Sequence, residues 1–165
     1  MKKVLILLTM LILALSSVIA WSYTPSTVVA TPQLVSVSVG LVAKDPATWN
    51  PVSGGSGTIY GENIPGTPGY YAILIFKLEK STNYTLIYYG DNTHNDVWPY
   101  ATCLKSFTSS SYGYIIDKVK LDLAKYKVDP AANKIWLIRS SDVDCTAGQM
   151  ISWNPTNYLF ERKTI

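Results

Sequence analysis

Five apolar side chains at alternate positions, Val35, Val37, Val39, Leu41 and Ala43, are set against Ser36, Ser38, Gly40 and Val42. A period of two marks an extended strand with one face on a core, and almost no 3.6-residue stripe competes with it elsewhere. Further along, the chain is cut into short pieces. Residues 44–69 contain Pro46, Pro51, Gly54, Gly55, Gly57, Gly61, Pro65, Gly66 and Pro68, which predicts loops around a brief edge strand at 58–60. The nearly all-apolar run 70–78 suits a central strand covered on both faces. Residues 84–89 follow after a polar turn at 79–83, which predicts an antiparallel hairpin with the preceding strand. Further strands are expected at 103–107, within 112–121, at 134–139, and in short form at 150–153 and 158–160. Residues 122–126 have the spacing of one helical turn, ended by Asp129-Pro130. About seven to nine short strands with Gly and Pro punctuation define an all-β chain, a single β-sandwich over residues 35–165 with jelly-roll or Greek-key connections.

The N-terminus carries a different pattern. Lys2 and Lys3, the apolar run 4–19 and the small Ala20 read as an export signal over residues 1–20, too short and too weakly flanked for a permanent anchor. The expectation is a secreted, extracellular protein with no membrane attachment after cleavage. Residues 21–34 form an extended arm in which Pro25 and Pro32 prevent a helix. Of the 14 Lys and Arg, two lie in the signal, so the remainder nearly balances the 11 Asp and Glu. Without a basic stripe, nucleic-acid binding has no electrostatic basis. Charged residues make up 15% of the chain, well below the usual fraction of about 25%, and so weakly self-repelling a surface suits packing against copies of itself.

Cys103 and Cys145 are the only cysteines. In an oxidising compartment the natural reading is one disulfide, with two buried thiols as the alternative. His94 is the only histidine, which removes His-based zinc sites, and no G-x-S-x-G elbow accompanies it, so the chain does not read as an enzyme. Glu62, Asp91, Asp96, Asp142 and Asp144 fall in expected loops, where oxygen ligands can gather around Ca²⁺. Their spacing matches no EF-hand, and solvated loop acids are the plain alternative. Trp49, Trp98 and Trp153 also lie in or near loops. With no repeated spacing they read as core or interface rings rather than as a sugar platform, although a secreted carbohydrate-binding module is one alternative function. Asn83-Tyr84-Thr85 is the one glycosylation sequon.

Residues 61–71 (GENIPGTPGYY) and 88–99 (YYGDNTHNDVWP) resemble the cannula subunits of hyperthermophilic archaea, and the likeness extends from the strand at Val35 to the Cys145 region. The resemblance implies hollow extracellular tubes made of jelly-roll-like subunits, each completed by the extended N-terminus of a neighbour, with calcium between subunits. A subunit of archaeal bundling pili is a related possibility. No ligand set transfers residue by residue. Read with this resemblance, the arm and the strand after it become the expected donor segment, with Val35, Val37 and Val39 filling a neighbour's pockets. The expected partners are copies of the same chain in a helical or tubular polymer, with contact to the cell surface.

Overall fold

The computed structural model describes residues 31–89, 98–126 and 135–162. The expected signal, most of the arm, Asp91, His94 and Asp96 lie outside the described residues. Eight strands form one antiparallel sheet: β1 (Val35–Lys44), β2 (Pro51–Asn63), β3 (Gly69–Phe76), β4 (Asn83–Tyr89), β5 (Ala101–Thr108), β6 (Ile115–Leu121), β7 (Ile135–Arg139) and β10 (Leu159–Glu161). Their order is β5-β4-β7-β10-β1-β2-β3-β6. A two-residue hairpin of β8 (Val143–Asp144) and β9 (Gln149–Met150) stands apart. The all-β expectation holds. The sheet curls until it is nearly closed, with an unsealed seam where its ends β5 and β6 approach each other without a ladder.

Cross-strand rows explain the core. On one half, Val37, Gly61, Tyr71 and Val119 lie opposite one another across β1, β2, β3 and β6, as do Leu41, Gly57, Ile75 and Ile115. Each row alternates bulk with absence of bulk. Tyr71 and Ile75 are fully buried, and they occupy the space that inward side chains of β2 would otherwise take. A methyl group added at Gly57 would lie 2.4 Å from the Leu74 carbonyl oxygen and 2.7 Å from Ile75 Cγ1. For this reason the Gly- and Pro-rich stretch expected to loop is instead a thirteen-residue strand. It is held by ladders on both sides, and Pro51 is tolerated at its first position. Gly57→Ala is expected to destabilise the domain by about 1–3 kcal/mol through overpacking, read as a lower midpoint of thermal or denaturant unfolding.

The hairpin expected between β3 and β4 does not form. β3 pairs with β2 and β6, whereas β4 pairs with β5 and β7. The connection between β3 and β4 turns a corner, and it is bonded to the matching corner between β5 and β6. Leu78 N donates to Gly113 O, Ser81 N to Ser110 O, and Ser109 N to Thr82 O. Residues 69–89 and 101–121 are therefore the two long strands of one ribbon folded over the end of the core. Lys77, Ser81 and Gly113 adopt positive φ at the bend, and a side chain at Gly113 would strike the Leu78 carbonyl at 2.3 Å. Residues 122–126 make a turn rather than a helix, with Tyr126 N donating to Leu123 O. Leu123 and Tyr126 are buried in the core, and the Tyr126 ring stacks on Tyr88 at 4.7 Å.

A second apolar cluster lies on the outer face of β4, β7 and β10. Ile87, Trp136, Ile138 and Phe160 there are roofed by Val143, Met150 and Tyr158. The opposite outer face, on β2, β3 and β6, leaves Tyr60, Tyr70, Phe76 and Ile116 exposed, so the expectation that β3 is covered on both faces does not hold.

Candidate functional site

The seam follows from the folded ribbon. Because β5 and β6 are two arms of a single bent strand, their outer edges are turned toward each other. Among the described residues β6 is laddered only to β3 and β5 only to β4, except at the start of β5, where Ala101 N donates to Gly148 O and Tyr100 bridges Gln149. An edge of this kind presents backbone N–H and C=O groups to any strand that can reach it.

The side chains along the seam are graded. Phe107 and Ile115, near the bend, are buried, as are Val119 and Leu121 further along β6. Between them the middle row of each half ends in a charge. Lys105 lies opposite Leu86 and Asp117 opposite Ile73, both in inward register, yet both are exposed. Leu104, beside a ladder irregularity, is partly buried against the core. Inward charges on edge strands discourage indiscriminate pairing. An incoming strand must offer polar groups at the centre and apolar ones toward the ends.

The expected donor residues sit elsewhere. Val37 and Val39 are buried in the core of their own chain, and β1 is laddered to β2 from Val35 to Lys44 and to β10 at Leu41 and Val42. Within the single chain β1 is an interior strand, because its alternation meets a core its own sheet already supplies. Thr31 to Leu34, just before it, are exposed and irregular.

Cys103 of β5 is bonded to Cys145, with Cα atoms 5.5 Å apart. The bond ties one edge of the seam to the 140–158 excursion that covers the outer cluster. Asp142 anchors the other end of this excursion. It is 4% exposed and accepts hydrogen bonds from Ser152 Oγ at 2.6 Å, Tyr158 OH at 2.7 Å, Ser141 Oγ at 3.1 Å and Asn154 Nδ2 at 3.2 Å. Burial would raise its carboxyl, but the donated hydrogen bonds outweigh burial and hold it below the ordinary carboxylate range. Burial, reinforced by the neighbouring carboxylate, pushes the Tyr158 hydroxyl up.

The described acids do not converge on a cation. Asp142 is occupied as an acceptor. Asp144 Oδ1 accepts from the backbone of Thr146 and Ala147, and Glu62 accepts from Ser36 Oγ across the β1–β2 ladder. Among the described residues no group of three His, Cys, Asp or Glu is placed to hold a metal ion. Asn83 opens β4 in an exposed position, and its side-chain oxygen accepts from Thr108 Oγ1 at 2.8 Å.

A buried polar knot that sequence reasoning missed lies at one end of the core. Asn63 is 3% exposed and donates to Ile64 O, Thr67 O and Asp122 Oδ1, while Tyr71 OH and Ala124 N donate to it. Burial and then the Asp122 charge push the Tyr71 hydroxyl up to about 12. An Asn in a Gly/Pro segment reads as turn chemistry, and only the contact with residues 122–124 across the fold shows otherwise.

Fold and seam together define the class: an all-β domain whose antiparallel sheet is one pairing short of closure. No protein-family model, curated protein or solved structure matches this chain.

Proposed function

We propose that this protein is an exported structural subunit that assembles with copies of itself by strand complementation, forming an extracellular filament or tubule. The observation that carries this reading is the seam, two facing strand edges at the two ends of one sheet. Because β1 already occupies its own sheet, the donated segment is the arm ahead of it. Between Pro25 and Pro32, residues 26–31 (STVVAT) are free of proline and rich in β-branched side chains, so they can hold a ladder that the prolines delimit at both ends. Their Ser and Thr suit the central seam positions beside Lys105 and Asp117. A subunit that fills its neighbour's seam while offering its own makes a heterologous contact, and such contacts propagate. The near-balanced, sparsely charged surface and the resemblance to cannula subunits support the same reading. In this reading a jelly-roll-like fold is completed only in the polymer, and calcium support rests on Asp91 and Asp96.

Electron microscopy and light scattering of three proteins test the proposal: the chain from residue 21, the chain lacking residues 21–34, and Asp91→Asn/Asp96→Asn, each with calcium and with chelator. The first is expected to polymerise. The second should remain monomeric with unchanged β-sheet circular dichroism, and a synthetic 24–34 peptide in excess should cap growth of the first. Polymers of normal appearance from the truncated chain would remove the arm from the assembly. A full chain that stays monomeric at high concentration under every condition would remove the assembly itself. Unchanged calcium dependence in the double Asn variant would dissociate calcium from those two acids.

A further inference from the structure

The roof over the outer cluster stops short of a group of indoles. Tyr89, Trp98 and Trp153 line a cleft of about 330 Å³ on this face. Trp98 is 47% and Trp153 42% exposed. The two rings stand nearly perpendicular, at 84° with centroids 6.3 Å apart, so one presents a face beside the edge of the other. Core or interface was the expectation for these rings; neither ring is buried within the chain.

The rings are held firmly. Tyr89 stacks on the buried Trp136 at 4.2 Å, and Trp153 packs edge-on against Tyr158 at 5.7 Å. The backbone around them is clamped by Met150 N donating to Pro99 O and Ala101 N donating to Gly148 O. The Asp142 hydrogen bonds to Ser152 and Asn154 fix the residues on either side of Trp153. Aromatic faces that are open but immobile lose little conformational freedom when a ligand settles on them.

The chemistry of the lining selects the ligand. Among the described residues the lining is wholly aromatic, which suits a ring-shaped ligand with an apolar face. An aromatic face carries negative potential and attracts weakly positive C–H groups. A pyranose ring offers such a face, with its hydroxyls directed outward to water. A protein partner fits less well, because two indoles each less than half exposed supply only a fraction of the roughly 800 Å² that each side of a stable interface buries. We propose that the Tyr89–Trp98–Trp153 cleft binds a neutral saccharide by stacking a sugar face on Trp98 or Trp153. This site lies on the roofed outer face, and its function does not depend on the seam.

The test is a titration followed by tryptophan fluorescence and calorimetry. Neutral oligosaccharides of glucose, xylose and N-acetylglucosamine are added to the unmodified chain and to Trp98→Ala, Trp153→Ala, Trp98→Phe and Tyr112→Ala. At least one series is expected to bind saturably. Each Trp→Ala change should weaken it by about tenfold or more, as truncation of an aromatic anchor does. Trp98→Phe should retain most of the affinity, and Tyr112→Ala, which removes an exposed ring elsewhere, should leave it unchanged. Circular dichroism of each variant separates loss of the site from loss of the fold. The proposal is overturned if no neutral series binds at millimolar sugar, or if binding survives the Trp98→Ala/Trp153→Ala double change. It is equally overturned if the tryptophan emission shifts with protein concentration and Trp98→Ala abolishes that shift, since a second copy then covers the cleft.

Discussion

Changing Asp142 to alanine is expected to destabilise the domain by about 3 kcal/mol, because it strands the buried Tyr158 hydroxyl and the half-buried Ser152 hydroxyl and removes the acceptor of two exposed donors. Tyr158, 1% exposed, loses the acceptor at 2.7 Å, and Ser152, Asn154 and Ser141 lose theirs. These hydrogen bonds pin the excursion that carries Met150, Trp153 and Tyr158. The unfolding midpoint should therefore fall together with a red shift of tryptophan emission, as the outer cluster opens before the inner core. The carboxyl titrates lower in the folded chain than in the unfolded one, so the unfolded chain binds the proton more readily. The stabilisation is complete above the ordinary carboxylate value of about 3.9 and is lost as pH falls through the lowered folded value. Unfolding curves of the unmodified chain and Asp142→Asn should differ by a constant amount from pH 5 to 8 and converge under more acidic conditions. A difference that instead grew below pH 4 would reverse the sign and refute the role given to this carboxylate.

Replacing Cys103 and Cys145 together by serine is expected to lower the unfolding free energy by about 4 kcal/mol. This is the loop-entropy value for a sequence separation of 42. A loss of that size is a large fraction of the 5–15 kcal/mol that holds a typical domain together. The eight-stranded ladder does not run through this bond, so sheet content should be retained at low temperature. The excursion should loosen at its Cys145 end, and with it the edge strand β5 that borders the seam. Hydrogen exchange would show the change as faster exchange at Ala101, Thr102 and residues 143–150, with β2 and β3 unaffected. Peptide mapping without reductant should recover the two cysteines in one linked fragment. If the double serine variant unfolds at the same denaturant concentration as the unmodified chain, the bond does not stabilise this fold.

Much of the sheet is legible along the chain because burial on one side leaves a period of two. The alternation in β1, the apolar run of β3 and the β-branched and aromatic stretch of β4 each mark a strand by their own residues. β2 is the opposite case. Its inward positions include Gly55, Gly57 and Gly61, since the side chains filling that part of the core belong to β3 and, at Gly55, to Leu159 of β10. A strand whose contribution to packing is the absence of bulk looks like a loop when its neighbours are out of view. The missed corner between β3 and β4 has a related cause: residues 79–83 are a sensible hairpin turn, and only their bonds to residues 109–113 reveal a bend in a ribbon. Among the candidate acids, the sequence shows carboxylates in loops, and the structure separates a buried acceptor, Asp142, from the turn-forming Asp144 and the exposed Glu62 beside Ser36.

By itself, the sequence determined an all-β fold, its main strands and the two cysteines available to pair, because these depend on local periodicity and on residue identity. Strand order was decided only in three dimensions, and so was the position of the seam, because both depend on which edges remain after every other edge is paired. β1 carries the strongest strand pattern in the chain and looked free to be donated. Pairing with β2 and β10 makes it an interior strand, and the exposed edges pass to β5 and β6. The three loop tryptophans were likewise visible as residues but not as a surface. Trp98 and Trp153 come together only when the disulfide and the Asp142 hydrogen bonds fold the excursion onto β4 and β7, and local composition carries no record of contacts between segments so far apart in the chain.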